Sequence, residues 1–312
     1  MPILSTKEIF KACYGKYAVP AYNVNNMELA KAVAEACMES KSPFIFQISR
    51  GARNYANPIL LKSIINGIAE TYPELIFAIH LDHGTLEVCE EVLNENPLFF
   101  TSVMIDASHE SFEKNIEISK RVSTLAHEKG ISVETELGQL GGVEEDIKVE
   151  EEHASLTDPN NAKEFVERTG CDSLAVAIGT SHGAYKFKNK EPKLHFERCK
   201  AIQENLPENF PLVMHGSSSV PEYLIEEINK YGGEIEGSKG VPEKFLPDVH
   251  KYGVCKVNID TDLRLAWYAG MRKHLIENPD NFDFRKAFGL SMDRVKELVI
   301  HKNELLGSNN KL

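Results

Sequence analysis

The sequence predicts an α/β chain folded as a (β/α)8 TIM barrel with a C-terminal helical extension, one domain over residues 1–312. Two observations lead there. Eight apolar runs of strand length recur along the chain, at residues 17–24, 44–48, 75–81, 99–105, 131–137, 173–178, 211–214 and 254–259. They are rich in β-branched or aromatic residues and nearly continuous in apolar side chains, as parallel strands covered on both faces should be. A helical signal follows each run, and no composition shift or Pro/Ser-rich linker divides the chain. That count is the count of a barrel, with an open doubly wound sheet as the structural alternative.

The intervening segments read as helices. Asn25 and Glu28 resemble a capping pair, and Leu29, Val33 and Cys37 follow at four-residue spacing. Phe112, Ile116, Val122, Leu125 and Ala126 form a second apolar stripe, ended by Gly130. Residues 159–168 and 221–230 begin on proline, which the first helical turn tolerates. Two long polar inserts, 138–158 and 179–192, follow strands on the face where barrel enzymes carry their chemistry. A third irregular stretch covers 231–247, and the tail from Asp280 reads as a polar helical appendage.

Composition narrows the function. Lys and Arg number 35 against 47 Asp and Glu, a formal net charge of −12. Such a chain is a poor binder of bulk nucleic acid or of an anionic membrane. The values of 42% hydrophobic and 26% charged residues belong to a globular chain, not a disordered or fibrous one. The six cysteines form no C-x-x-C and read as buried thiols of a reduced, cytoplasmic protein. No signal-like apolar core and no membrane-length apolar run is present.

Histidine placement is the most informative feature. His83, His182 and His215 each follow a predicted strand and precede a glycine, in Asp82-His83-Gly84, Ser181-His182-Gly183 and His215-Gly216. A barrel converges its strand ends, and three neutral imidazoles with an open fourth position make a catalytic zinc site. The adjacent glycines are expected to let a ligand approach. His80 reads as core or supporting, and His109 as an ordinary histidine just after a strand. Asp82 precedes His83, Asp106 ends the fourth strand, and Glu134 and Glu136 share one face of the fifth. Carboxylates so placed supply alternative ligands and acid–base groups. The run Glu150-Glu151-Glu152 reads as a solvated face.

Anion-binding capacity comes next. Gly183 and Lys186 follow His182; Gly216, Ser217, Ser218 and Ser219 follow His215; Asn258, Asp260 and Thr261 end the last strand. Glycines and hydroxyls at helix starts present N–H groups to a phosphate, although helix capping explains them equally well. Arg50, Arg53, Arg264 and Arg285 are candidates for a second anion site. Gly138, Gly141 and Gly142 lack the strand–turn–helix context of a dinucleotide fingerprint.

Taken together, the motifs resemble the class II, metal-dependent fructose-1,6-bisphosphate aldolases from about Tyr14 to the tail. The stretches that carry the resemblance are Ile79–Gly84, Val133–Glu145, Gly179–Gly183, His215–Ser218 and Val257–Asp262. The resemblance implies reversible cleavage of fructose 1,6-bisphosphate through a zinc-stabilised enediolate, with a tagatose-1,6-bisphosphate aldolase as the alternative. It implies zinc on His83, His182 and His215, with Asp106 and Glu136 at an alternate metal location. Asp82 would be the acid–base group at the C4 hydroxyl, and Glu144 would handle the C3 proton of dihydroxyacetone phosphate. Residues 138–158 would then be a lid, hinged at its three glycines. The C1 phosphate would meet Gly183, Lys186, Gly216, Ser218, Asn258, Asp260 and Thr261, with contact to the sugar hydroxyls as the alternative for Asp260. The C6 phosphate would meet Ser49 and Arg264, with Arg285 reaching in from a neighbouring subunit. A monovalent cation (Na+ or K+) and a homodimer or homotetramer are further implications. No nucleic acid or membrane partner is expected.

Overall fold

All eight apolar runs form strands. The computed structural model describes residues 3–144, 147–149, 155–183 and 194–312, with backbone alone at 141–144 and 147–149. In chain order the strands are β1 (Val19–Asn23), β2 (Phe44–Ser49), β3 (Phe77–Gly84), β4 (Ser102–Ile105), β5 (Ser132–Leu137), β6 (Gly141–Glu144), β7 (Ile147–Val149), β8 (Ser173–Val176), β9 (Ser181–His182), β10 (Leu212–Met214) and β11 (Val254–Ile259). Strands β1-β11-β10-β8-β5-β4-β3-β2 close into a barrel in which every pairing is parallel. The helices are α1 (Thr6–Cys13), α2 (Met27–Ser40), α3 (Arg50–Ala56), α4 (Pro58–Thr71), α5 (Leu86–Leu93), α6 (Phe112–His127), α7 (Pro159–Thr169), α8 (Phe196–Asn205), α9 (Glu222–Lys230), α10 (Thr261–Glu277) and α11 (Phe284–Leu305). None of the described helices is long and apolar enough to cross a membrane.

Pairing register shows what fills the barrel. Ala21, Ile45 and Ala78 lie side by side in one row. One step nearer the C-terminal mouth come Asn23, Gln47, His80, Ser102 and Ser132. The apolar row rests on α1, whose Ile9, Phe10 and Cys13 join Val19, Ala21, Ile45 and Ala78 in a buried cluster separate from the outer core. The Thr6 hydroxyl donates to Ser102 Oγ at 3.0 Å and lies 2.7 Å from Ser132 Oγ. Helix α1 therefore plugs the N-terminal mouth. A capping box between Ser5 and Glu8 starts it, a signal visible in the sequence that the strand count passes over.

Other differences are local. The cap of α2 is Asn26, not Asn25: Asn26 has the extended backbone, and its side chain accepts from Leu29 N at 2.9 Å. The insert at 138–158 is not a plain loop. Its β6 and β7 form an antiparallel pair, and β6 runs alongside β9, the strand of His182. A backbone pair between Gln139 and Ser155 (3.0 and 2.9 Å) ties its base. Gly138 packs against Thr157 and Ser155 there, so it is no free hinge. Residues 243–252, partly within the third irregular stretch, form a 3-10 helix. The C-terminal extension is helical as expected, but it is no loose appendage. Helix α11 packs on α10 and α2 and buries Val295, Leu298, Val299, Lys302 and Asn303. The Glu150-Glu151-Glu152 run lies outside the described residues.

The plug gives the first prediction. Phe10 is buried at 1% exposure in the barrel-floor cluster. Phe10→Ala is expected to lower unfolding free energy by about 3–5 kcal/mol in a urea titration. A loss below about 1 kcal/mol would show that α1 is not part of the barrel core.

Candidate active site

Alternation along β3 sends His80 and Asp82 into the barrel, and strict alternation would send His83 outward. The β3–β4 register slips between Leu81 and Gly84, and His83 takes a φ of 45°. This bulge re-aims the His83 ring toward the mouth. The neighbouring glycine is required by packing. A Cβ on Gly84 would stand 2.6 Å from Cys89 Sγ and 2.8 Å from Met104 O. Gly216 likewise has a φ of 58° and lies against the backbone of Ser181, which a Cβ would meet at 2.6 Å.

The three histidines come together. His83 Nε2 stands 2.9 Å from His215 Nδ1. The His182 ring centroid lies 5.5 Å from that of His83 and 6.1 Å from that of His215. One nitrogen on each of the three lies within 4.8 Å of the others. Three nitrogens at zinc-bond length around a tetrahedral ion stand roughly 3.4 Å apart, so the trio fits such an ion after small adjustments. The far nitrogens of two rings are already committed: His83 Nδ1 to Asp106 Oδ2 at 2.8 Å and His215 Nε2 to Glu134 Oε1 at 2.7 Å. Carboxylates so placed fix the orientation of an imidazole ligand. His83, Asp106 and Glu136 form a second group of equal closeness.

Electrostatics follow from burial and partners. Burial raises the Asp106 carboxyl, but the His83 and Ser108 contacts outweigh it and hold it well below the usual range. Burial also raises Glu134, and Lys256, His80 and His215 overcome that, so it stays ionised. Burial pushes His215 down further than Glu134 lifts it, which favours the neutral imidazole that a metal needs. His80, fully buried, is pushed well below its ordinary value, first by desolvation and then by Lys256.

Sequence reasoning missed several residues of this cluster. Lys256, wholly buried on β11, donates to Glu134 Oε2 at 2.8 Å. Its one signal was a lysine inside an apolar strand. Gln47 Nε2 donates to Asn23 Oδ1 at 2.8 Å, and Asn23 Nδ2 donates to Asp82 Oδ2 at 2.7 Å. Asp82 is 1% exposed, and its Oδ1 has no hydrogen-bond partner among the described residues.

The anion candidates have varied surroundings. Ser49 ends β2 and accepts from Ala52 N at 3.1 Å, capping α3. Gly216 and Ser218 sit in the loop after β10, where Ser218 O accepts from Val241 N at 3.1 Å. Asn258 Nδ2 lies 3.1 Å from His215 Nδ1, and Asp260 and Thr261 open α10. Arg264 reaches back to Asp260 at 2.8 Å. Arg53 is buried against Glu91, outside the cluster, and Arg285 stands exposed at the start of α11 beside Asp283. Gly183 follows His182 with a φ of 86°. Lys186 and the side chain of Glu144 lie outside the described residues.

A parallel barrel with imidazoles and carboxylates gathered at its C-terminal mouth defines a barrel enzyme equipped for a divalent metal. Comparison with known proteins specifies the class. A model of the family "Fructose-bisphosphate aldolase class-II" matches residues 4–234 and 235–311. The chain is 45% identical over 310 residues to a fructose-bisphosphate aldolase of Giardia intestinalis, covering 99% of this chain and 94% of that protein. It is 44% identical over 313 residues to one of Helicobacter pylori, covering 100% of both. Among solved structures, the YdjI aldolase of Escherichia coli K12 superposes with a TM-score of 0.77 at 29% identity over 99% of each chain. The chain belongs to the class-II fructose-bisphosphate aldolase family. It is an aldolase, a carbon–carbon lyase, and the family implies a divalent metal.

Lys256 gives the second prediction. Lys256→Met leaves the Glu134 carboxylate buried without its cation and is expected to lower stability by about 3–5 kcal/mol. Adding Glu134→Gln to it should restore much of that loss, measured by denaturant unfolding of all three variants. A double variant no more stable than Lys256→Met would show that the two charges do not depend on each other.

Proposed function

We propose that this chain cleaves fructose 1,6-bisphosphate reversibly to dihydroxyacetone phosphate and glyceraldehyde 3-phosphate, with zinc as its metal. The observation that carries the reading is the gathering of His83, His182 and His215, with the buried carboxylate of Asp82 next to His83 in the chain. His83, His182 and His215 hold the ion, and Asp106 and Glu136 offer an alternate location. Bound there, zinc supplies Lewis-acid stabilisation for the negative charge that develops on the dihydroxyacetone fragment.

The chain's own groups do the rest. Asp82 takes the C4 hydroxyl proton as the C3–C4 bond breaks. Asn23 and Gln47 anchor its Oδ2, which leaves Oδ1 as the oxygen that receives the proton. Glu144 exchanges the C3 proton of dihydroxyacetone phosphate, carried in by the insert whose β6 runs beside the His182 strand. Gly183, Lys186, Gly216, Ser218, Asn258, Asp260 and Thr261 receive the C1 phosphate, with a monovalent cation, Na+ or K+, beside it. Ser49 and Arg264 receive the C6 phosphate, joined by Arg285 of the partner subunit. Holding both ends of the sugar aligns the reacting carbons with the catalytic groups. The protein acts in the cytoplasm as a homodimer or homotetramer.

A coupled cleavage assay tests this directly. Chelation should abolish fructose 1,6-bisphosphate cleavage, zinc should restore it, and His182→Ala should lose both metal and activity. Circular dichroism should change little on chelation, because a core of this size holds without a metal. Full activity of the chelated protein would end the zinc reading, and faster cleavage of tagatose 1,6-bisphosphate would move the substrate to its epimer.

Asp82 is tested separately. Asp82→Ala should keep its zinc while cleavage falls by roughly 10²–10⁴-fold. Near wild-type cleavage with lost proton exchange would reverse the roles of Asp82 and Glu144.

A further inference from the structure

The loop after β10 carries a β-branched residue in an unfavourable backbone conformation. Val220 has a φ of 52°, a region where a valine side chain crowds its own backbone. Together with Gly216, at 58°, it brackets Ser217, Ser218 and Ser219 between two residues of positive φ. Such strain persists only where the surroundings over-determine it.

Here the surroundings are Asp262 and Lys302. Asp262, wholly buried in the first turn of α10, accepts from Ser219 N at 2.9 Å through Oδ2 and from Val220 N at 2.8 Å through Oδ1. Its charge is answered by Lys302 Nζ at 2.9 Å, itself buried on α11 in the C-terminal extension. Lys302 also donates to Ser219 Oγ and, at 2.7 Å, to Glu243 Oε1. His301 Nε2 lies 2.8 Å from the other Glu243 oxygen. Burial opposes the charge on Lys302, but Asp262 and Glu243 outweigh it and its pKa is raised.

We propose that Asp262 and Lys302 are positioning residues for the 216–220 loop, holding Val220 at positive φ so that Gly216 and Ser218 stay set for the substrate phosphate. This rests on the reading of that loop as a phosphate seat and adds a role for the C-terminal helix. Without Lys302 the Asp262 carboxylate is a buried charge with no cation. It takes up a proton or admits water, its grip on the two amides weakens, and Val220 relaxes to negative φ.

The test uses the full-length, zinc-loaded protein with Lys302→Met, Lys302→Arg, Val220→Gly and the double variant Lys302→Met/Val220→Gly. Lys302→Met should raise KM for fructose 1,6-bisphosphate by about 5- to 100-fold, the range of strain energies at such residues. Zinc content should not change, kcat should change less than KM, and hydrogen exchange at the Ser219 and Val220 amides should accelerate. Lys302→Arg should restore most of the loss. The deciding arm is the double variant. Glycine is at ease at positive φ, so the KM defect should shrink to within about threefold of Val220→Gly alone. A merely structural lysine predicts the reverse, because removing the Val220 side chain as well only lowers stability further. If Lys302→Met does not fold, Asp262→Asn carries the same expectations. An unchanged KM, or a KM defect that Val220→Gly does not relieve, overturns the proposal. Should wild type fail to cleave the sugar, the functional reading fails on its own, and undisturbed protection of the two amides in Lys302→Met would then overturn the clamp.

Discussion

Glu134 and Lys256 face each other inside the barrel at 2.8 Å, both out of reach of solvent, and the site depends on that pair. Barrel interiors are usually filled with branched apolar side chains. This one is apolar at its floor and carries above it a polar row of Asn23, Gln47 and His80. A buried carboxylate without a partner is severely destabilising, so Lys256 is what keeps an ionised Glu134 tenable there. Ionised Glu134 in turn holds His215 Nε2 at 2.7 Å and leaves Nδ1 facing His83. The floor and the polar column are linked as well: Thr6 on the plug bonds Ser102, which bonds His80 Nδ1 at 2.8 Å.

The barrel was legible in the sequence because its strands are covered on both faces. The eight runs are therefore nearly continuous in apolar residues, and none depends on reading an alternation. What escaped were features set by non-local contacts. The β6–β7 hairpin is polar and glycine-rich, with too little apolar pattern to mark strands; its identity comes from pairing beside β9. Helix α11 reads as polar because its buried positions include Ser291, Lys302 and Asn303, and the partners of Lys302 and Asn303 lie far away in the chain. The choice of Asn25 over Asn26 was a one-residue error of the kind that adjacent capping residues invite.

The candidate site was legible where position carries the information. Histidines placed just past strands must meet in a closed barrel, and His83, His182 and His215 do. The adjacent glycines also answer a packing need at Gly84 and Gly216, where the chain packs against itself. Strict alternation would even have sent His83 to the wrong face, since the bulge at the end of β3 leaves no mark on residue types. Lys256, Asn23 and Gln47 were hidden for another reason. A lone polar residue in an apolar strand shows that it is buried but does not name its partner.

Two departures from regular backbone, at His83 and Val220, lie at the C-terminal mouth, and each has a carboxylate just beyond a strand end beside it. His83, at a φ of 45°, presents a ring held by Asp106, which follows β4. Val220, at 52°, is held through its amide by Asp262, which follows β11. Asp106 is fixed in turn by Ser108 N and Oγ at 3.1 and 2.8 Å, and Asp262 by Lys302 at 2.9 Å. Residues at positive φ are destabilising by about 1–3 kcal/mol each, so the frame must hold them before any ligand arrives. A barrel suits that task because its closed ladder fixes every strand end relative to its neighbours. Strain at one strand end can then be balanced by a charge from another, so that the mouth is shaped in advance of binding.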